Sequence, residues 1–98
     1  MADVDEQFYD RADAHIHLSN AQLRESTMGK VSASMMYATA RFNAWVSACG
    51  FTNAEQMKAE REATLQYFCE QYRKMLEDNL DDYIAHHARY MKPGTGGS

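Results

Sequence analysis

Two aspartate–histidine pairs offer the most distinctive chemistry in the sequence. Asp13 precedes His17 by four residues, and Asp82 precedes His86 by the same interval. On a helix this spacing places both side chains on one face, one turn apart, where they could supply two ligands of a metal site. The simpler interpretation is an ordinary surface pair, which stabilises a helix by about 0.2–0.5 kcal/mol.

The four histidines are too far apart to form one metal site within a single three-helix chain. In an up-down-up arrangement His15 would lie level with residue 64 of the third helix, and His87 would be about 35 Å further along. They could meet only across an antiparallel dimer or if the third helix folded back. The sequence also contains no Glu-x-x-His and no Cys-x-x-Cys motif. We therefore predict no metal and no cofactor.

Two polar residues, Arg41 and Asn43, interrupt the most apolar stretch of the chain, which spans residues 30–51. The guanidinium of Arg41 either binds an anionic ligand between helices or pairs with a carboxylate of the first helix. We favour the pairing, because charged residues in small helical proteins are usually paired. The candidate polar interhelical cluster comprises Asp10, Asp13, His17, Arg41 and Asn43.

No constellation of residues predicts an enzyme. The chain has no Gly-x-Ser-x-Gly motif, and its only glycine cluster follows Pro93. Cys49 and Cys69 lie in apolar surroundings, which predicts reduced core thiols. The aromatic residues at helical spacing predict a packed core rather than a ligand-binding box: Phe8, Tyr37, Phe42, Trp45, Phe68 and Tyr72.

Length, charge and composition exclude further classes of function. The chain has 98 residues, a net charge of −4 and an apolar content of 45%, typical of one small folded domain. No block of basic residues appears, so we predict no nucleic-acid partner. Acidic residues occupy the place where a secretion signal would be basic, and no charge-free stretch reaches transmembrane length. We therefore predict a cytoplasmic protein that does not bind membranes.

The first two helices are predicted over about residues 4–24 and over residues 31–49. Acidic residues suit the first turn of helix one, and a polar segment before Gly29 ends it. Helix two has two apolar faces and must be covered twice, so we expect it to be central, with Gly50 as its C-terminal cap. The residues of one face of helix one recur at steps of three and four residues: Phe8, Ala12, Ile16, Ser19 and Leu23.

A third, long helix is predicted over residues 53–91. Thr52-Asn53-Ala54-Glu55 forms a capping box, and an apolar repeat without Pro or Gly follows it. Such a helix would be about 60 Å long, too long for a short hairpin to cover. It either breaks near residues 78–82 or continues and packs against another copy of the chain. We favour continuation, with a self-association surface of Leu80, Tyr83, Ile84 and His87.

Three segments carry a resemblance to a known family: FYDRAD at residues 8–13, KVSAS at 30–34 and YATARFNA at 37–44. They look like a family of short proteobacterial proteins that is known only as a domain of unknown function. The resemblance covers about residues 7–48. It implies a small, helical, cytoplasmic bacterial protein and supplies no activity, cofactor or catalytic residue. It also implies that Asp10 and Asp13 of the first helix meet Arg41 and Asn43 of the second helix in the polar cluster.

Together these observations predict an all-α fold of three helices, a helical hairpin plus a long C-terminal helix that self-associates. Residues 1–92 are predicted to form one helical domain, and residues 93–98 a flexible tail. The predicted function is a non-enzymatic structural or protein-interaction module whose partner is itself, with or without another protein. The alternative is a small-ligand or metal-binding module that uses the polar cluster between helices one and two.

Overall fold

The structure, a computed structural model, describes residues 4–91. Within this range the chain is all-helical, which confirms that the fold is all-α. It divides into two units, one that runs through Arg41 and one that begins at Phe42. The tail predicted at residues 93–98 lies outside the described residues. Five helices are present in the described range: α1 (Phe8–Gln22), α2 (Met28–Cys49), α3 (Ala54–Ala59), α4 (Arg61–Ala85) and α5 (His87–Tyr90).

A turn organised by Asp5 precedes α1 in the first unit. Asp5 Oδ1 accepts hydrogen bonds from the backbone N–H of Gln7 at 3.1 Å and from Nη2 of Arg11 at 2.9 Å. The backbone N–H of Phe8 donates to the carbonyl of Asp5 at 3.1 Å. Asp5 therefore lies before the helix rather than in its first turn, and its charge still favours the positive end of the helix dipole.

The apolar face predicted for α1 is the half-buried face of that helix. Ser19 Oγ lies 3.4 Å from Sδ of Met35 on α2, which joins the two helices within the first unit. Val31, in the second turn of α2, is only 6% exposed and is the single buried side chain among residues 4–91. The residues that recur at steps of three and four are all half-buried, as is Asn20 beside them: Phe8, Ala12, Ile16, Ser19 and Leu23.

Helix α2 begins three residues earlier than predicted. Thr27 Oγ1 accepts a hydrogen bond from the backbone N–H of Lys30 at 3.3 Å, so a threonine side chain caps the helix. Gly29, expected to act as a breaker, lies in the first turn. At the other end, the N–H of Gly50 donates to the carbonyl of Ser47 at 3.0 Å, and the glycine backbone is not left-handed. A tightened last turn, not a left-handed glycine, therefore ends α2.

The capping box before α3 is displaced by one residue from its predicted position. Asn53, not Thr52, is the N-cap, and its Oδ1 accepts a 2.9 Å hydrogen bond from the N–H of Gln56. Oε1 of Gln56 in turn accepts a 2.7 Å hydrogen bond from the N–H of Thr52. Because Gln56 makes the return bond, Glu55 does not have the role that the sequence pattern gave it.

The region predicted as one helix over residues 53–91 contains three helices. The interruptions fall at Glu60 and His86, whose backbone dihedrals leave the helical range. The segment at residues 78–82, the weakest point by helix propensity, lies inside a continuous α4. There Nδ2 of Asn79 donates a 2.7 Å hydrogen bond to the carbonyl of Met75 one turn earlier, which satisfies this side chain within the helix.

Most residues that the sequence predicts as core are exposed. Tyr37, Phe42 and Trp45 on α2 are between 61% and 70% exposed. Cys49 and Cys69 are free and exposed, so the prediction of core thiols is wrong. Helical spacing establishes which side chains share a face, but nothing in that spacing establishes whether another element covers the face.

Candidate functional site

The residues of the predicted polar cluster are not joined to one another. Four of them, Asp10, Asp13, His17 and Arg41, belong to the first unit and are exposed. Asn43 belongs to the second unit, and its carbonyl accepts a 3.0 Å hydrogen bond from Oγ of Ser47. Within residues 4–91 no hydrogen bond or ion pair links any two of these side chains. The interhelical cluster stays a prediction.

The two aspartate–histidine pairs differ in the structure. Nδ1 of His86 lies 3.1 Å from Oδ1 of Asp82, so this pair forms the helix-surface contact that its spacing predicts. Asp13 and His17 make no such contact in the described chain. No group of three or more His, Cys, Asp or Glu side chains within residues 4–91 is arranged to hold a metal ion.

A small polar and aromatic cluster joins α4 to α5. The hydroxyl of Tyr90 donates a 2.8 Å hydrogen bond to Oδ2 of Asp82, whose other oxygen contacts His86. The ring of Tyr90 lies 4.8 Å from that of Tyr83 and 6.0 Å from that of His86. The guanidinium of Arg89 lies 5.1 Å from the Tyr90 ring centre. These contacts hold α5 against the end of α4. Their hydrogen bonds are exposed and the two tyrosines are only half-buried, which is unlike a catalytic pocket.

An exposed apolar surface runs along α4, and we call it the α4 stripe. Its members are between 41% and 75% exposed. The last four recur at steps of four residues, and the first lies seven residues, two turns, before them, so all five share one face. The half-buried residues Thr64, Phe68 and Gln71 lie on a neighbouring face, whereas the half-buried Tyr83 lies on the face of the stripe, where it packs on Tyr90. The stripe comprises Leu65, Tyr72, Leu76, Leu80 and Ile84.

The predicted self-association surface overlaps the stripe in part. Leu80 and Ile84 are exposed members of it. Tyr83 is half-buried and packs on Tyr90, and His87 is exposed on α5, beyond the interruption at His86. The structure therefore leaves two of the four predicted residues on one continuous exposed face of α4.

Charge is distributed unevenly along α4. Residues 61–74 carry three cationic and two anionic side chains, whereas residues 75–85 carry four anionic and no cationic ones. Arg73 and Glu77 form an ion pair at 2.8 Å across one turn, and both side chains are largely exposed. The two halves of the helix therefore differ in the sign of their net charge.

One open groove lies in the first unit, at the connection between α1 and α2. It has a volume of about 300 Å³. Its lining contains both an acid, Glu25, and a base, Lys30, and it is largely open to solvent, so no single ligand chemistry is favoured. The lining residues are Gln22, Glu25, Ser26, Lys30, Val31 and Ser34.

The fold and its surface define a class: small all-helical proteins whose apolar side chains are largely exposed on the single chain. None of the helices in the described range is long and apolar enough to cross a membrane. The chain matches the family described as protein of unknown function DUF3144 over residues 8–84, and it belongs to that family. This match confirms the resemblance and extends it through most of α4. No curated protein and no solved structure matches the chain.

Sequence reasoning missed the contact between Tyr90 and Asp82, although a signal for it exists. Asp82, His86 and Tyr90 recur at four-residue intervals, which is the spacing of one helix face. It also treated Tyr72 as a core residue rather than as part of a surface. Its spacing is that of a core face, and only the absence of a covering element in the described chain distinguishes the two.

Proposed function

We propose that this protein is a cytoplasmic, non-enzymatic interaction module that binds a second copy of itself through the α4 stripe. The observation that carries the proposal is the exposure of five large apolar side chains along one face of a 25-residue helix. Contiguous exposed apolar surface on a protein marks an interaction site. Removing such side chains from water is the main driving force for association.

A second copy is the partner whose dimensions fit the stripe. At 1.5 Å per residue, α4 is about 37 Å long, and its partner must present apolar residues over a similar length. Another α4 helix does so with the same spacing. The second half of one helix, with four anions and no cation, is also complementary to the first half of another, where three cations outnumber two anions.

The alternative function, a ligand- or metal-binding module built on the polar cluster, has less support. Asp10, Asp13, His17 and Arg41 are exposed and are not joined to one another in the described chain. A binding site for a small ligand is normally a concave, mostly apolar pocket in which a few polar groups point at the ligand. The α4 stripe therefore carries the proposal.

Molar mass in solution tests the proposal. Light scattering behind a sizing column, across a concentration series, should show a mass that rises from the 11.2 kDa of one chain toward twice that value. Leu80→Glu should shift the protein to the single-chain mass. Leu80 is exposed, so a charge there interferes with the stripe but leaves α4 itself intact.

Ala63→Glu provides a matched control. Ala63 is exposed on the same helix, about 140° around it from Leu76, and the substitution adds the same charge. It should leave the concentration dependence of the mass unchanged. Circular dichroism should show that both variants keep their helix content. A mass of one chain at every concentration, with α4 intact, would contradict the proposal.

A further inference from the structure

Part of the α4 stripe is symmetric about Leu76. Tyr72 and Leu80 lie four residues before and after it. When two copies of such a helix run in opposite directions with a two-fold axis at Leu76, every one of these positions meets an apolar position. A parallel pair in register would also match apolar residues, so spacing alone does not choose between them.

Charge distinguishes the two orientations. Residues 75–85 carry Glu77, Asp78, Asp81 and Asp82 and no cation. Packed helices have axes about 8–10 Å apart, close to the Debye length of about 8 Å at physiological ionic strength. A parallel pair would place the four carboxylates of one copy beside those of the other. An antiparallel pair places them beside residues 70–75, where two cations, Arg73 and Lys74, outnumber one carboxylate. The helix dipoles also favour the antiparallel pair, because they are opposed in that arrangement.

The ion pair beside Leu76 fits the same arrangement. Arg73 and Glu77 lie on one flank of the stripe and are 2.8 Å apart. A two-fold axis at Leu76 would bring the partner's Glu77 to the same flank, about 3 Å along the helix axis from Arg73. Each arginine would then lie between two carboxylates, one from its own helix and one from the other, and each carboxylate between two arginines.

We infer that α4 pairs antiparallel with α4 of a second copy, with the two-fold axis at Leu76. This inference rests on the proposed self-association and specifies its geometry. Tyr72 then packs against the partner's Leu80, and the two Leu76 side chains contact each other. An isologous interface of this kind is closed, so association stops at two chains through this surface.

Distances between spin labels test the orientation. Cys49→Ser and Cys69→Ser remove the native thiols, and Glu62→Cys then places one label per chain on an exposed position of α4. The antiparallel pair separates the two labelled backbones by about 42 Å along the helix axis. A parallel pair keeps them at the lateral spacing of the two helices, about 10 Å apart.

A second labelling site gives a short distance for the antiparallel pair and a long one for the parallel pair. In the same thiol-free background, Ala85→Cys provides a label near the other end of α4. Mixed dimers of a chain labelled at position 62 and a chain labelled at position 85 should give a separation of about 8 Å along the axis if the helices are antiparallel. The same mixture should give about 35 Å if they are parallel.

The outcomes separate this inference from the proposal on which it rests. A long distance for the pair at position 62, with a short one for the mixture, supports the antiparallel arrangement. Short distances within each singly labelled dimer would overturn it and leave self-association through α4 in place. A single-chain mass for the labelled protein and for the parent chain at the same concentration would overturn both.

Discussion

The hydroxyl of Tyr90 donates a 2.8 Å hydrogen bond to Oδ2 of Asp82, eight residues earlier in the chain. The bond spans the interruption at His86, where the backbone leaves the helical range. A side-chain contact therefore holds α5 to α4 at the point where the backbone hydrogen bonds of the helix are interrupted. The position of α5 depends on this pair rather than on helix propensity.

Tyr90→Phe should loosen α5. The substitution removes the hydrogen bond to Asp82 and keeps the ring that packs on Tyr83, so the loss should be about 1 kcal/mol. Hydrogen exchange should then become about fivefold faster at the backbone amides of Arg89 and Tyr90, which donate to the carbonyl of His86. Tyr67→Phe, a loss of a hydroxyl elsewhere on the surface of α4, should leave these rates unchanged. Equal rates in both variants would show that the hydrogen bond does not hold α5.

Asn53→Ala should destabilise the start of α3 more than Thr52→Ala does. Asn53 Oδ1 caps the helix through the N–H of Gln56, whereas Thr52 contributes only its backbone N–H. Loss of an N-cap costs about 1 kcal/mol, so the melting temperature should fall measurably for Asn53→Ala and change little for Thr52→Ala. Circular dichroism melts of the two variants under identical conditions measure this. A larger loss of stability for Thr52→Ala than for Asn53→Ala would instead support Thr52 as the N-cap, as the sequence predicted.

Arg41→Ala should change the free energy of unfolding by less than about 0.5 kcal/mol, because Arg41 is exposed and forms no ion pair within the described chain. Val31→Ala, at the one buried side chain, should cost about 2 kcal/mol from lost apolar contact. Urea unfolding of both variants provides the comparison. A large loss for Arg41→Ala would favour the predicted polar cluster as a structural element.

The two cysteines should differ in how their reactivity depends on protein concentration. Both thiols are exposed on the single chain, so each should react with a disulfide reagent about as fast as in the unfolded chain when the protein is dilute. Cys69 lies between Leu65 and Tyr72 on the face of the α4 stripe, and association should slow its reaction.

Single-cysteine variants separate the two thiols. Cys69→Ser leaves Cys49, whose rate should not change with concentration, and Cys49→Ser leaves Cys69, whose rate should fall as the protein associates. Slow reaction of Cys69 at the lowest concentration would instead restore the interpretation of a core thiol.

Divalent metals and small anions should leave the melting temperature unchanged. A ligand that binds only the native state raises stability, and at a hundred times its dissociation constant it would add about 2.7 kcal/mol. A panel that includes zinc, magnesium, phosphate and a dicarboxylate, each at millimolar concentration, tests the alternative function. A shift that Arg41→Ala or His17→Ala abolishes would favour a ligand-binding module over an interaction module.

The helical fold could be predicted from the sequence because the periodicity of α1 is complete. Phe8, Ala12, Ile16 and Leu23 lie where a 3.6-residue repeat places them, and the structure half-buries all four. The ends of the helices were harder to predict. The interruptions at Glu60 and His86 involve neither Gly nor Pro, so no residue type signals them.

The surface of the protein could not be predicted to the same degree. The spacing of Phe42 and Trp45, or of Tyr72 and Leu76, is that of a buried face, and the structure exposes all four. A pattern in one sequence cannot distinguish a face that packs within the chain from a face left for another molecule, because both need apolar residues at the same intervals.

The isolation of Val31 as the one buried side chain among residues 4–91 has a calorimetric consequence. Unfolding a chain that has little covered apolar surface hydrates little new surface, and that hydration is the source of the heat-capacity increment. The dilute chain should therefore show an increment well below the value of about 1.2–1.5 kcal/mol/K that is usual for a 100-residue domain, with a shallow urea dependence. At higher protein concentration both the heat-capacity increment and the urea dependence should increase. Unfolding then also separates two chains and hydrates the surface that was buried between them.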